Sequence, residues 1–450
     1  MYIATINRFI TLFTESLEAL GAKAPVADIE RLAMTVHHSM DNGRRVYHTS
    51  THVFDMCRGL NPRQVLATLF HDIVYYQLDG GFPKNAETTL KRVVRVERDA
   101  LEVRPLAGDK GYTVCTHLFG FKEGQVLPLY GGMNEFLSAV VAVRTLEPYL
   151  GWKDIIPIVA CIEATVPFRM ANATGKSPLD VLAERVTEVS RTIGAALDED
   201  EVTRAVKDAT QLANNDVSSF SESDPGRFLS TTWLLIEESN APLSAVGIYS
   251  IGEYRGALSR MEKFLASLNP DSIFHAYKGM PADADFDELR VAAKRNVEFS
   301  ARYLGLKIAA IALVEALARA TGGDCPVSML LGDIRSPYGK PDRVEDFLPP
   351  LPSDESTLDP KILDVLEKGR SLASSSDLTV SPLTAYVYRS LGGEDSTRAL
   401  TEARKMFDGQ LTPRDFLAGL DRTLVRSLTE ACARISVSRR QALTDLAQSL

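Results

Sequence analysis

No uncharged apolar run in this 450-residue chain reaches the roughly 20 residues that a bilayer-spanning helix needs. Cysteine is sparse and scattered. Cys57, Cys115, Cys161, Cys325 and Cys432 stand singly, without the spacing of a zinc site or a disulfide framework, so reduced thiols in a reducing compartment are expected. Basic charge is not in excess: 50 Lys and Arg face 59 Asp and Glu, giving a net charge of -9, which argues against bulk capture of nucleic acid or of an anionic membrane. No fixed-period repeat is present. The first helix is marked by Ile6, Phe9, Ile10, Phe13, Leu17 and Leu20, but Arg8, Glu15 and Glu18 make it amphipathic, so no secretion signal is expected and a cytoplasmic location is.

At 45% hydrophobic and 24% charged, the composition is that of a soluble globular protein, and the length suits two or three domains. Helical periodicity dominates. A second helix is predicted from Val26 to Met40, ending in His37 and His38, where the dipole alone favours histidine. Further helices are predicted after the Asn61-Pro62 cap, from Asn134, over Asp154–Thr165, Leu179–Ile193 and Glu201–Ala213, from Asn240 to Leu268, and from Phe286 to Ala320. The last of these is apolar enough to expect burial against the first domain or a second subunit. The exception to this helical texture is the segment 77–133. Arg92 to Glu97 and Leu101 to Arg104 alternate, and Tyr112 to Phe121 is rich in β-branched and aromatic residues, which predicts a small antiparallel β insertion near the mouth of a cleft, with His117 on a strand surface. The expected organisation is a helical domain over 1–230 with the insertion at 77–133, a helical region at 231–335, a Pro-rich linker at 336–360 and a helical region at 361–450.

Only seven histidines occur, and His48, His52 and His71 fall in one stretch, Arg44 to Tyr76. His71-Asp72 ends an apolar helix carrying Val65, Leu66, Leu69, Phe70 and Ile73, where polar groups are costly to bury unless paired or bound to a metal. Imidazole nitrogen with carboxylate oxygen suits a divalent first-row ion, and His48, His71 and Asp72 are the first candidate ligands. His52, one helical turn after His48, is read as a substrate contact or as a residue orienting a ligand. Arg44 and Arg45 are either a clamp for a substrate phosphate or solvated loop charges. Glu135 is either a general acid or base or a residue favourable to the helix dipole, with Asn134 as a cap.

Taken in order, Tyr47-His48 with His52, Phe70-His71-Asp72-Ile73-Val74-Tyr75, Asn134-Glu135-Phe136-Leu137-Ser138-Ala139 and Ile162-Glu163-Ala164-Thr165 resemble the motif series of the HD superfamily, in particular its predicted metal-dependent phosphohydrolases. The resemblance runs from near Leu32 to near Phe220. It implies a mostly all-α, HD-like helical bundle holding one divalent metal ion (Mn, Fe, Co, Ni, Zn or Mg) through His48, His71, Asp72 and Asp216. Glu135 would be catalytic, and Arg44, Arg45, His52 and Arg169 would contact a small phosphorylated molecule. Asp216 has the alternative of a loop or capping residue, and Arg169 that of a partner for Glu163. Where the family commonly has a histidine after Ile-x-x-Thr, this chain reads Val166-Pro167-Phe168-Arg169, which argues against a two-metal centre. The expected activity is hydrolysis of a phosphoester or phosphoanhydride, with a nucleotide suggested only by analogy. The alternative is a protein that keeps the fold and senses a ligand or partner through its C-terminal half.

Overall fold

A computed structural model of the chain describes residues 4–98, 100–105, 108–334, 339–350, 358–372 and 377–449. It is 66% helical with one two-stranded sheet, so the protein is mostly all-α. The chain divides into two compact units: 1–221 with 269–293, and 222–268 with 294–450.

In the first unit, α1 (Thr5–Ala19), α2 (Val26–Met40), α3 (Ser50–Met56) and α4 (Pro62–Phe70) lead into the short α5 (Tyr76–Asp79) and α6 (Glu87–Val93). The strands β1 (Val94–Glu97) and β2 (Ala100–Val103) follow, and then α7 (Lys110–Phe119), α8 (Met133–Leu146), α9 (Trp152–Ala164), α10 (Pro178–Ile193) and α11 (Glu199–Asp216). The helix α4 lies at the centre, against α1, α8, α9 and α11, and every residue from Gln64 to Phe70 is buried. Its start is fixed by a capping box: the Asn61 side chain accepts from the backbone N–H of Gln64, whose side chain accepts in turn from Asn61 N–H. Gln64 Nε2 also donates to Asp208 O at 2.9 Å and to Gln211 Oε1 at 3.0 Å, which ties α4 to α11.

The insertion is less β-rich than its composition suggests. The strands pair antiparallel from Val94↔Val103 to Glu97↔Ala100, and Val126 adds a bridge to Glu102. Tyr112 to Phe119, expected as strand, is helical, and His117 sits on α7 with its Nε2 3.2 Å from Glu188. Asp109 accepts from Tyr112 N–H at the start of α7, and Gly120, at φ 70°, stops it in the left-handed conformation. Between them Tyr112, Cys115, Leu118 and Phe119 fall on one buried face.

The units cut the chain differently from the expected boundaries. Residues 269–293 belong with the first unit, where Tyr277 joins the hydrophobic core and Asn214 exchanges two hydrogen bonds of 2.9 Å with the backbone of His275. The second unit contains α12 (Pro225–Glu238), α13 (Ile251–Ser267), most of α14 (Asp283–Thr321), α15 (Ser328–Leu331), α16 (Pro360–Lys368), α17 (Pro382–Phe407), α18 (Pro413–Ala418), α19 (Arg422–Ile435) and α20 (Arg440–Ser449). The single helix expected from Asn240 to Leu268 is interrupted, because Ser250 opens a new capping box with Glu253. The Pro-rich tract at 336–360 lies partly outside the described residues. In its described part, a 3-10 turn at Val344–Phe347 packs on α19 with Val344 fully buried, so this stretch belongs to the unit and is not a free spacer. No helix among the described residues is long and apolar enough to cross a membrane.

Candidate metal centre

Three helices of the first unit bring four side chains to one point. His52 lies in the first turn of α3, His71 caps the C-terminus of α4 and is followed by Asp72, and Asp216 is the last residue of α11. One ligand atom each from His52, His71 and Asp72 lie within 4.8 Å of one another, the one such group among the described residues. Asp216 Oδ1 stands 3.2 Å from His52 Nε2 and 3.6 Å from His71 Nε2.

His71 shows what the site favours. Its Nδ1 is 2.8 Å from the carbonyl of Thr68, which can only accept, so Nδ1 carries a proton and Nε2 faces the carboxylates. Nε2 is fully buried, 3.0 Å from Asp72 Oδ2, and has no partner in hydrogen-bond geometry. Burial alone would lower the affinity of His71 for a proton, but Asp72 and Asp216 outweigh it and hold the imidazole well above its ordinary pKa. Burial would likewise raise Asp72, yet the imidazoles of His71, His48 and His52 keep its carboxyl well below the usual range. Asp216 is lowered to about 2, the hydrogen bond with His52 and the nearby His71 imidazole overcoming desolvation. Two charged carboxylates and two imidazoles, one of them with an orphaned buried nitrogen, form a donor set that fits a divalent ion with nitrogen and oxygen ligands.

The loop after Asp72 is held from three sides. Ser138 Oγ accepts from Val74 N–H at 3.1 Å, and Asn134 Oδ1 accepts from Tyr76 N–H at 3.0 Å, so two polar residues of α8 fasten the turn. Between them, Glu135 stands in the first turn of α8 with its pKa raised to about 7 by burial, the charges of Asp72 and Asp216 adding to the rise. The third hold is Arg45. Its Nη1 donates to Asp72 O at 2.7 Å, and its Nε and Nη2 grip the Asp79 carboxylate at 3.0 and 2.7 Å.

Several expected roles change. Arg45 was expected at a substrate phosphate, but its side chain is 0% exposed and its donors are taken by Asp79, Asp72 and Met40. Arg169 was expected there too, but it forks onto the buried Glu163, with Nη1 on Oε1 and Nη2 3.2 Å from Oε2, and donates to Val166 O. Arg44 is exposed, with its guanidinium over Gly80. His48 was expected as a ligand and His52 beside it; the grouped ligand atoms come from His52. His48 lies in the bend before α3, its ring 6.0 Å from that of His52 and edge-on to Tyr75 at 5.1 Å, close enough for its charge to act on Asp72.

Gln64, Ser138, Asp79 and Asn214 carry the scaffold of the site and were not singled out from the sequence. Ser138 had a visible signal: like Asn134, four residues earlier, it is polar on a helix that is otherwise apolar on that side. No family model matches the chain, and no curated protein or solved structure matches it.

Proposed function

We propose that the protein is a metal-dependent phosphohydrolase acting on a phosphoester or phosphoanhydride of a small phosphorylated molecule. The observation that carries this reading is the convergence of His52, His71 and Asp72 within 4.8 Å, with Asp216 against both imidazoles. These four residues would hold one divalent ion, with His48 at its border. A bound ion of this kind supplies Lewis acidity toward a phosphoryl oxygen and a lowered pKa for water. Glu135, with a pKa near 7, can accept a proton from an attacking water and return it to a leaving group near neutral pH. Burial of His71 and the closed hydrogen bonding of the Asp72–Asp79 turn keep the ligand set in one geometry. Arg44, exposed beside the turn, is the remaining arginine that can meet phosphate. The resemblance to HD-superfamily phosphohydrolases supports the same chemistry.

The test is turnover of aryl phosphates, aryl phosphodiesters and nucleotides by protein loaded in turn with Mn, Fe, Co, Ni, Zn or Mg, alongside elemental analysis. One ion per chain with turnover lost in His71→Ala supports the reading. The engagement of Arg45 and Arg169 by internal carboxylates favours a second reading, a metal-holding protein that binds without hydrolysing. One bound ion without turnover of any of these substrates would move the conclusion there.

A further inference from the structure

The second unit contains a cleft that the metal-centre chemistry does not use. Its wall is largely apolar, with Ile311, Leu331, Leu378 and Val380, yet Lys307, Asp377 and Ser381 also reach it, as do Arg343 and Glu345, which pair with each other at 3.2 Å. Lys307 is buried, donating to Asp377 Oδ2 at 2.7 Å and Ser381 Oγ at 2.9 Å, and its third N–H is left for another acceptor. Asp377 Oδ2 also accepts from Tyr254 Oη at 3.0 Å.

Directly behind this wall lies a second buried cation. Arg370 has a fully buried side chain; Nη2 donates to Leu378 O at 2.7 Å, and Nη1 is 3.6 Å from the same Asp377 oxygen. Its Nε and Nη1 are buried with no hydrogen-bond partner. Both cations stand over the ring of Trp233, Arg370 at 3.8 Å and Lys307 at 4.8 Å. Lys307 and Arg370 thus share the Asp377 carboxylate; of the two, Lys307 lines the cleft, and Arg370 lies behind it with two buried nitrogens unpartnered. Uncompensated buried charge is costly, and an anion from outside relieves it.

We propose that this cleft binds a small amphipathic anion, with a carboxylate or phosphate head at Lys307 in the field of Arg370 and an apolar body along Ile311, Leu331 and Val380. The site is independent of the proposed phosphohydrolase reading, and its readout is not turnover.

Trp233 reports on it directly, since the chain has two tryptophans and Trp152→Phe leaves Trp233 alone. In that full-length background, octanoate, octyl phosphate and inorganic phosphate are titrated while Trp233 emission is followed. The expected result is a saturable change with an octyl probe and a weaker response to inorganic phosphate; the better octyl probe identifies the head group. Lys307→Met is expected to raise the apparent Kd about tenfold or more by removing a charge-assisted contact. Leu331→Asp, at a half-buried wall position, does the same by repulsion without touching the buried ion pair, and circular dichroism establishes that each variant is folded. No saturable change with any of the three probes, or the same titration in folded Lys307→Met and Leu331→Asp, overturns the proposal.

Discussion

Replacing Arg45 by Met separates a structural clamp from a phosphate ligand. The side chain is wholly buried, and its fork onto Asp79 uses two bonds of 3.0 and 2.7 Å, with a third donor on Asp72 O. Methionine fills much of the volume but leaves Asp79 charged and 8% exposed. Breaking a buried pair by removing one partner costs about 3–5 kcal/mol. Asp79 keeps Asn42 Nδ2 at 3.0 Å and Tyr75 N–H at 3.3 Å, which places the expected loss near the lower end of that range. Arg44→Met, at an exposed neighbour, is expected to stay within about 0.5 kcal/mol of the parent. Urea unfolding followed by Trp152 in a Trp233→Phe chain reads the first unit by itself, because each unit has one tryptophan. Adding Asp79→Asn to Arg45→Met should recover part of the loss, since no unpaired charge is then left buried; the coupling expected for such a contact is about 0.5–3 kcal/mol. An Arg45→Met protein with an unchanged urea midpoint and a raised KM for a phosphorylated substrate would refute the clamp and restore Arg45 to the substrate.

Elemental analysis of His52→Ala and His71→Ala is expected to show less than one ion per chain after dialysis, while His48→Ala retains it; the reverse order for His48 and His52 would reassign the ligand. Glu135→Gln is expected to lower turnover about 100-fold or more with metal content unchanged, and to remove an activity limb that rises through about pH 7. The same substitution should act on metal-free stability. The Glu135 carboxyl moves from 4.5 to about 7 on folding, so the parent loses stability as pH rises from 4.5 through 7, and urea midpoints of Glu135→Gln should gain on it across that window and hold the gain above it. Asn214→Ala removes both bonds to the His275 backbone and is expected to weaken metal retention about 10- to 100-fold through Asp216, with His52 and His71 intact, as a competitive chelator titration would show.

The helical framework was legible because most of its helices carry their own signals. Apolar residues at helical spacing and a Pro, Asn or Ser/Asp cap mark α2, α4, α10 and α11 close to their observed ends. Where local composition and capping disagreed, composition misled. The β-branched and aromatic residues of α7 read as a strand, but Asp109 and Gly120 bracket ten residues whose buried face has helical spacing. The unit boundary was hidden for another reason: residues 269–293 join the first unit through Asn214 and the buried Tyr277, contacts made across more than sixty positions of sequence.

The candidate site was legible in its charges and not in its pairings. His71-Asp72 stood out because it ends an apolar helix, where a polar side chain must find a partner, whereas Asp216, at the end of a polar helix, entered only through the resemblance. Which imidazole leads the group depends on where α3 begins: with Ser50 as its first residue, His48 falls in the preceding bend and His52 in the first turn. The arginines show the same limit. Beside a metal-ligand motif, a guanidinium suits a phosphate and a buried carboxylate equally well, and the fold decides by which acceptor is already desolvated at hydrogen-bond range. Asp79 reaches Arg45 across 34 positions, and Glu163 reaches Arg169 across six on the turn that ends α9. With its donors satisfied in this way Arg45 fixes the turn after Asp72, and under the proposed phosphohydrolase reading an incoming phosphate would be left to groups that remain exposed, such as Arg44.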